Sequence, residues 1–236
     1  MTAILSTLKL HLNARRLTFI APLSIVAMVA LFSVLFSLVA WRAGSQPGSD
    51  AWIQASQNNF AIAYILAGFL VYAGVASVAS TFPFALSLGA TRRSFVAGTL
   101  IWNGVTSGYI AVVLAALTAL ERATGHWSVG VYVFDIYALG AAGPLRTFAV
   151  VFFGALVSLT VGGVFAAAWV RIGALGPQLI GGGAMLILLV VANIVVPDAG
   201  RIIDSFQLWW LAILAGGTIT VSALGSWLML RTAVVR

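Results

Sequence analysis

The side chains that could perform acid–base, nucleophilic or metal chemistry are few in this chain and lie far apart. Its 236 residues include five acidic residues, two histidines and no cysteine. Without cysteine there are no disulfides and no thiolate metal sites, and His11 and His126 form no recognisable ligand set. The long apolar stretches contain no ionisable Asp, Glu, Lys, Arg or His, and so offer no Ser-His-Asp set or paired carboxylates. We therefore expect a protein that is not an enzyme and holds no metal or cofactor of its own.

One polar segment, residues 81–98, has the composition of a specific contact site. Residues of the kinds that start and stop helices divide it, namely Thr81, Pro83, Gly89 and Thr91. The pattern predicts a short separate helix at about 83–88 that is capped by Thr81, followed by Arg92 and Arg93 and by a new long helix capped by Thr91. An ordinary kinked turn with two arginines explains the local chemistry equally well.

The other charges divide by the connection in which they fall, because six long apolar stretches alternate with short polar ones. If the N-terminus is cytoplasmic, the inner connections collect eight basic residues and no acid: Lys9, Arg15, Arg16, Arg92, Arg93, Arg171, Arg231 and Arg236. The outer connections collect four arginines and all five acids: Arg42, Arg122, Arg146, Arg201, Asp50, Glu121, Asp135, Asp198 and Asp204. Cytoplasmic loops retain Lys and Arg, so the sequence predicts six spans with both termini inside.

Composition supports the same architecture. A chain that is 62% hydrophobic and 7% charged has too much apolar surface for one soluble core. A helix needs about 20 residues to cross the hydrocarbon layer. We predict an all-α, polytopic membrane protein with a single transmembrane domain over 1–236 and spans at about 17–40, 60–80, 95–120, 147–170, 178–196 and 206–230. The basic residues are scattered along one membrane face, which indicates contact with the lipid bilayer and no nucleic acid.

The segments outside the spans carry further expectations. Residues 1–16 predict an amphipathic helix at the cytoplasmic interface, and the apolar run after them is too long for a cleaved signal peptide. The outer connection 41–57 reads as a loop, with Asn58 or Asn59 capping the second span. The longest outer connection has an apolar middle at 127–139, which is too short to span and should lie at the interface or against the bundle.

Within the spans, polar and small residues are the informative ones. Asn103 and Asn193 are the most polar candidates, and the lack of any acid at depth argues against a proton-coupled carrier. Small residues recur four apart at Gly104 and Gly108, at Gly154, Ser158 and Gly162, and at Ala212 and Gly216. This spacing predicts close approach of helices, within the bundle or at a subunit interface.

The stretch 84–98, with the sequence FALSLGATRRSFVAG, resembles the loop after the second span in bacterial ABC exporter permeases of the type 2 class. Those subunits commonly carry a Leu-Gly-x-Ser/Thr-Arg-Arg-x-Phe pattern there, and their plan of a leader, six spans and cytoplasmic termini is similar. In that family the segment contributes a coupling helix that docks on a separate ATPase. The resemblance implies these contact residues: Phe84, Leu86, Leu88, Arg92 and Arg93. The chain departs from many members in its connection at 197–205, which is short for re-entrant helices.

The resemblance implies an exporter permease subunit in a bacterial plasma membrane, and the charge-free interior of the spans indicates an amphipathic or hydrophobic substrate. No GxxxxGK[ST] motif occurs in the chain, so ATP and Mg²⁺ would bind the partner ABC ATPase. A second permease copy or a paralogue would complete the transporter. Two alternatives stay open: a non-transporting membrane scaffold or sensor subunit, and an ion-coupled secondary carrier.

Overall fold

The computed structural model describes residues 2–198 and 207–233, and all regular structure in these ranges is helical. Six of the helices are long and apolar enough to cross a membrane. The prediction of an all-α, multi-pass membrane protein is confirmed at this level. Arg201, Asp204, Arg236 and most of the connection 197–205 lie outside the described residues.

The helices follow one another with short connections. In chain order they are α1 (Thr2–Asn13), a π-helical turn (Arg16–Ile20) that continues into α2 (Ala21–Arg42), α3 (Asp50–Gln57), α4 (Ala61–Ala79), α5 (Thr81–Ser87), α6 (Arg92–Ala123), α7 (Pro144–Ile172), α8 (Leu175–Val195) and α9 (Leu208–Leu230). Short turns lie at His126–Gly130, Tyr137–Leu139 and Val196–Asp198. The helices α2, α4, α6, α7, α8 and α9 overlap the six predicted spans.

Three of the predicted helix boundaries have the expected capping contacts. The Thr91 hydroxyl accepts a hydrogen bond from the Ser94 amide at the start of α6, and the Asn59 carboxamide oxygen accepts one from the Ala61 amide at the start of α4. Gly89 adopts a left-handed conformation with φ of +82° and ends α5. These predictions are confirmed, and the separate short helix is present.

The prediction that Thr81 caps this short helix was wrong. Ser80, which precedes α5, stays helical with φ of −89° and ψ of −34°, so the chain never becomes extended as a capping residue requires. The Thr81 hydroxyl instead donates back to the Ser77 carbonyl of α4. As a result α5 begins at Thr81, earlier than the predicted start near Pro83, and follows α4 almost without interruption.

The connection 41–57 is not a simple loop, because it contains α3. Ser49 is extended and its hydroxyl accepts a hydrogen bond from the Trp52 amide, which starts the helix. The Trp52 side chain is buried, and its indole N–H donates to the Gly130 carbonyl over 2.7 Å. The helix α3 is therefore held against a distant connection of the chain.

The helix α7 is central to the bundle because glycines bring α4 against it. A Cβ on Gly74 of α4 would collide with the carbonyl oxygen of Leu159, and a Cβ on Gly162 of α7 would collide with that of Val71. Close packing is thus confirmed for Gly162. Gly154, one of the other small residues predicted to pack closely, has no neighbour there within 4 Å.

The C-terminal parts of three spanning helices, α4, α7 and α9, lie in one apolar cluster that includes Val78, Ala166 and Leu230. The second-span helix α4 meets α7 near the middle of both, and Gly225 of α9 lies beside Val164 of α7, with 3.1 Å between its ideal Cβ position and the Val164 Cγ2. An alternating six-span topology requires the second, fourth and sixth spans to be parallel, and these contacts agree with it.

The helix α8 has few contacts with the rest of the chain. Of its residues only Gly176 is buried, where its backbone approaches Ala168 of α7. Most of its large apolar side chains, including Leu186, Leu188 and Ile194, are more than half exposed. A helix that is apolar on all sides fits a membrane environment, where lipid or another protein covers it.

Candidate functional site

One end of the bundle gathers the first and the last described helices, and we call it the basic end. It consists of α1, α5, the first turns of α6 and the last turn of α9. Thr7 of α1 lies against Gly98 of α6, and the Arg92 guanidinium lies against the end of α9. The start and the end of the described chain are therefore at the same end of the bundle.

The short helix α5 is fixed to the basic end by one of its faces. Phe82 is fully buried and meets the Phe95 ring edge-on, with ring centroids 5.1 Å apart. Ala85 is also buried, and the same apolar cluster includes Val78 of α4 and Leu230 of α9. Because α5 packs in one apolar cluster with the ends of three spanning helices, its position is coupled to theirs.

The opposite face of α5 leaves large apolar side chains uncovered. Phe84 is 52% exposed and Leu88 is 68% exposed. Leu88 also borders a recess of ≈ 270 Å³ between α5 and α1, with Thr7 and Leu10 on the other side. Arg93 follows and is exposed as well. An apolar patch beside a recess and a free arginine has the character of a protein-binding surface.

The five residues singled out from the sequence thus divide into two groups. Phe84, Leu88 and Arg93 are exposed and available to a partner, whereas Leu86 is partly buried in the cluster around Phe82. Arg92 also contacts its own chain. Its Nη1 donates to the Leu230 carbonyl over 3.2 Å and to the Arg231 carbonyl over 2.6 Å.

The contact of Arg92 joins the start of α6 to the end of α9. The last carbonyls of a helix have no partner within the helix, and a cation there also interacts favourably with the helix dipole. Arg92, at the start of α6, supplies both a hydrogen-bond donor and a positive charge to the end of α9. Its partners lie 138 and 139 residues away along the chain, and nothing in the local sequence indicates this pairing.

The leader helix α1 is attached to α6 through a histidine. His11 is 3% exposed, its Nε2 lies 3.0 Å from the Thr99 hydroxyl, and its ring stacks on Trp102. The Trp102 indole in turn donates to the Thr18 hydroxyl over 3.2 Å. Burial lowers the pKa of His11 to about 4, so the imidazole is neutral near pH 7. His11 therefore docks the leader, a role that the sequence did not indicate.

Acidification is expected to loosen this leader helix. The pKa of His11 is near 6.5 when the side chain is free in water and about 4 when it is docked, so below pH 6.5 the detached state binds more protons. Docking is unaffected above about pH 7 and loses about 2 kcal/mol by pH 5. Amide hydrogen exchange over residues 3–13, corrected for intrinsic rates, should accelerate at pH 5. A His11→Gln variant should lose this dependence on pH, and an unchanged dependence would contradict the assignment.

At the other end of the bundle, Glu121 binds the backbone of the long connection after α6. Its carboxylate is fully buried and accepts the backbone N–H groups of Val133, Phe134 and Asp135 at 3.0, 2.7 and 3.4 Å. Nearby, Asp135 Oδ2 lies 3.3 Å from His126 Nε2. The prediction that 127–139 lies against the bundle is confirmed, because several of its side chains are in the main core: Val131, Val133, Phe134, Ile136 and Leu139.

The membrane-spanning part offers polar groups but no charged ones. Asn103 is 3% exposed, and its Oδ1 has no hydrogen-bond partner in the described part of the chain. It borders a cavity of ≈ 20 Å³ together with Thr160 and Ser226, which is room for about one water molecule. Asn193 instead lies exposed on α8. Among residues 2–198 and 207–233, no three His, Cys, Asp or Glu side chains come together as a metal site.

Comparisons of this chain with protein-family models, with curated proteins and with solved structures found no match. The basic end, with its anchored short helix, is therefore the feature from which a function has to be argued.

Proposed function

We propose that this chain is the permease subunit of an ATP-driven exporter of the ABC type 2 class. The observation that carries the proposal is the short helix α5, which is held by Phe82 and Ala85 and exposes Phe84 and Leu88 beside Arg93. The resemblance of residues 84–98 to the coupling segment of that class supports the same assignment. In this proposal the exposed face of α5 docks on a separate ATPase, which binds ATP and Mg²⁺.

The packing of α5 supplies a route from the ATPase to the membrane. Closure of two ATPase subunits around ATP would displace α5, and its buried face would pass the displacement to α4, α6 and α9. Because close-packed side chains deform little, such contacts transmit movement well. The spanning helices would then alternate between states open to either side of the membrane.

Charge and exposure support an orientation and an assembly for the proposed permease. With the basic end in the cytoplasm, the described Lys and Arg residues of that end obey the positive-inside rule. The membrane in question would be a bacterial plasma membrane. The helix α8, which is exposed along almost its whole length, supplies a surface on which a second permease copy or a paralogue would pack.

A pull-down tests this function directly. The tagged chain is coexpressed with the genes that neighbour its own, extracted in mild detergent and assayed for ATP turnover. A stoichiometric nucleotide-binding subunit with ATPase activity would support the permease. Purification of the chain without such a partner would contradict it and favour the non-transporting scaffold or sensor, or an ion-coupled carrier.

A further inference from the structure

A groove of ≈ 1040 Å³ opens between α2, α3 and α4, at the end of the bundle away from α5. It begins beside Val29 and Ile65, within the spanning helices, and reaches Gln46 and Ser49 beyond the end of α2. The part along α2 from Val29 to Ala40 corresponds to about 16 Å of helix, roughly half of the hydrocarbon thickness. A groove of this length and volume can hold an extended chain molecule.

Small side chains keep the groove open. Ser33, Ser37 and Ala40 line it from α2, and Ala55 lines it from α3. Small residues in membrane helices normally allow another helix to approach. Here α3 does not fill the space, because its Trp52 is bonded to Gly130 and holds the helix in place.

The polar groups of the groove are fixed by contacts within the chain. The Asn59 carboxamide donates to the Ser33 hydroxyl over 3.1 Å, and the Ser49 and Ser56 hydroxyls donate to backbone carbonyls. Each of these hydroxyls can still accept a hydrogen bond, since a hydroxyl oxygen has two lone pairs. The Gln46 amide adds both a donor and an acceptor.

Polarity changes along the groove, and charge is missing from it. Its inner part is lined by Val29, Phe32, Phe36 and Ile65 together with the hydroxyl groups of Ser33 and Ser37, whereas its outer part is lined mostly by hydroxyl and amide side chains. None of the lining residues is charged. A ligand with an alkyl chain and a neutral polar headgroup matches this gradient. A phosphate headgroup would lose part of its hydration in the groove, and the lining residues carry no positive charge to compensate for that loss.

We infer that this groove binds a glycolipid-like molecule, with an acyl chain along α2 and an uncharged hydroxyl- or amide-rich headgroup among the outer polar residues. The role of the groove as the substrate site of an exporter rests on the function proposed above. Binding itself needs only this chain and a membrane, so it is measurable without the ATPase.

The test uses the full chain in phosphatidylcholine nanodiscs and two photoreactive probes. One is a monoglucosyl diacylglycerol with a diazirine in an acyl chain, and the other is a phosphatidylglycerol with the same chains. The neutral probe should crosslink to peptides that contain α2 and the start of α4, about tenfold more than the anionic probe, and unlabelled glycolipid should compete. Equal labelling by both probes would overturn the inference, because it is what ordinary surrounding lipid gives.

Filling the groove provides the matched variant. Ser37→Leu combined with Ala40→Leu should lower crosslinking of the neutral probe about tenfold. The control is Ser24→Leu, on an exposed part of α2 outside the groove, and it should leave labelling unchanged. Unchanged labelling in the filled variant would overturn the inference.

The two proposals fail in different ways. Selective labelling of a chain that captures no ATPase would overturn the permease and with it the substrate role of the groove. Unselective labelling of a chain that does capture an ATPase would overturn only the groove assignment.

Discussion

Replacing Phe84 and Leu88 together by aspartate is expected to lower the affinity of the chain for the proposed partner ATPase by about a thousandfold. Both side chains are more than half exposed on α5, so their loss leaves the buried face with Phe82 intact. Apolar anchors at the centre of a protein interface contribute about 2 kcal/mol or more each, and the new carboxylates would also have to be desolvated. Quantitative pull-down and ATPase titration in detergent measure the change.

A matched control separates a specific contact from a general effect of charge. Leu5 of α1 is 51% exposed at the same basic end but lies outside α5. Leu5→Asp should therefore retain the ATPase with little loss of affinity. Retention of the ATPase by the Phe84 and Leu88 double variant, or equal loss in the Leu5 variant, would show that the face of α5 is not the docking surface.

The positions of the spanning helices could be predicted from the sequence because they follow from local chemistry. Long apolar runs and the placement of charges are enough to find six spans. Helix ends at Thr91 and Gly89 were also predictable, since a cap or a left-handed turn depends on a few neighbouring residues. The prediction for Thr81 was wrong for the same reason, because a cap depends on its immediate neighbours. The helix before Thr81 does not end there, and the Thr81 hydroxyl donates to the Ser77 carbonyl of that helix.

The contacts that build the candidate site could not be predicted in this way. Arg92 looked like one of two equivalent arginines, yet only Arg92 reaches the carbonyl groups at the end of α9. His11 looked like an isolated polar residue, but tertiary packing buries it on Trp102. The groove beside α2 likewise depends on where Trp52 holds α3. Each of these contacts joins residues that are distant along the chain.

Neutralising Arg92 is expected to have a different effect from neutralising Arg93. Arg92→Gln removes the donor to the Leu230 and Arg231 carbonyls and should destabilise the bundle by about 2 kcal/mol, the typical contribution of hydrogen bonds to a charged group. ATPase binding through Phe84 and Leu88 should largely persist, but ATP turnover should no longer respond to substrate. Thermal unfolding in detergent, the pull-down and substrate-stimulated ATPase activity measure these three properties.

Arg93→Gln is the control because it removes the same charge from the same first turn of α6, so any effect of the positive-inside rule on insertion is equal in the two variants. Its side chain is exposed, and its loss should leave thermal stability unchanged while weakening ATPase binding. The absence of cysteine allows a single cysteine in place of Ser45 to report the orientation of either variant by labelling from outside.

If the two variants unfold at the same temperature, the bond from Arg92 to α9 does not stabilise the bundle. If Arg92→Gln keeps a normal response to substrate, the connection between α6 and α9 takes no part in coupling, and movement of α5 would have to reach the membrane through α4.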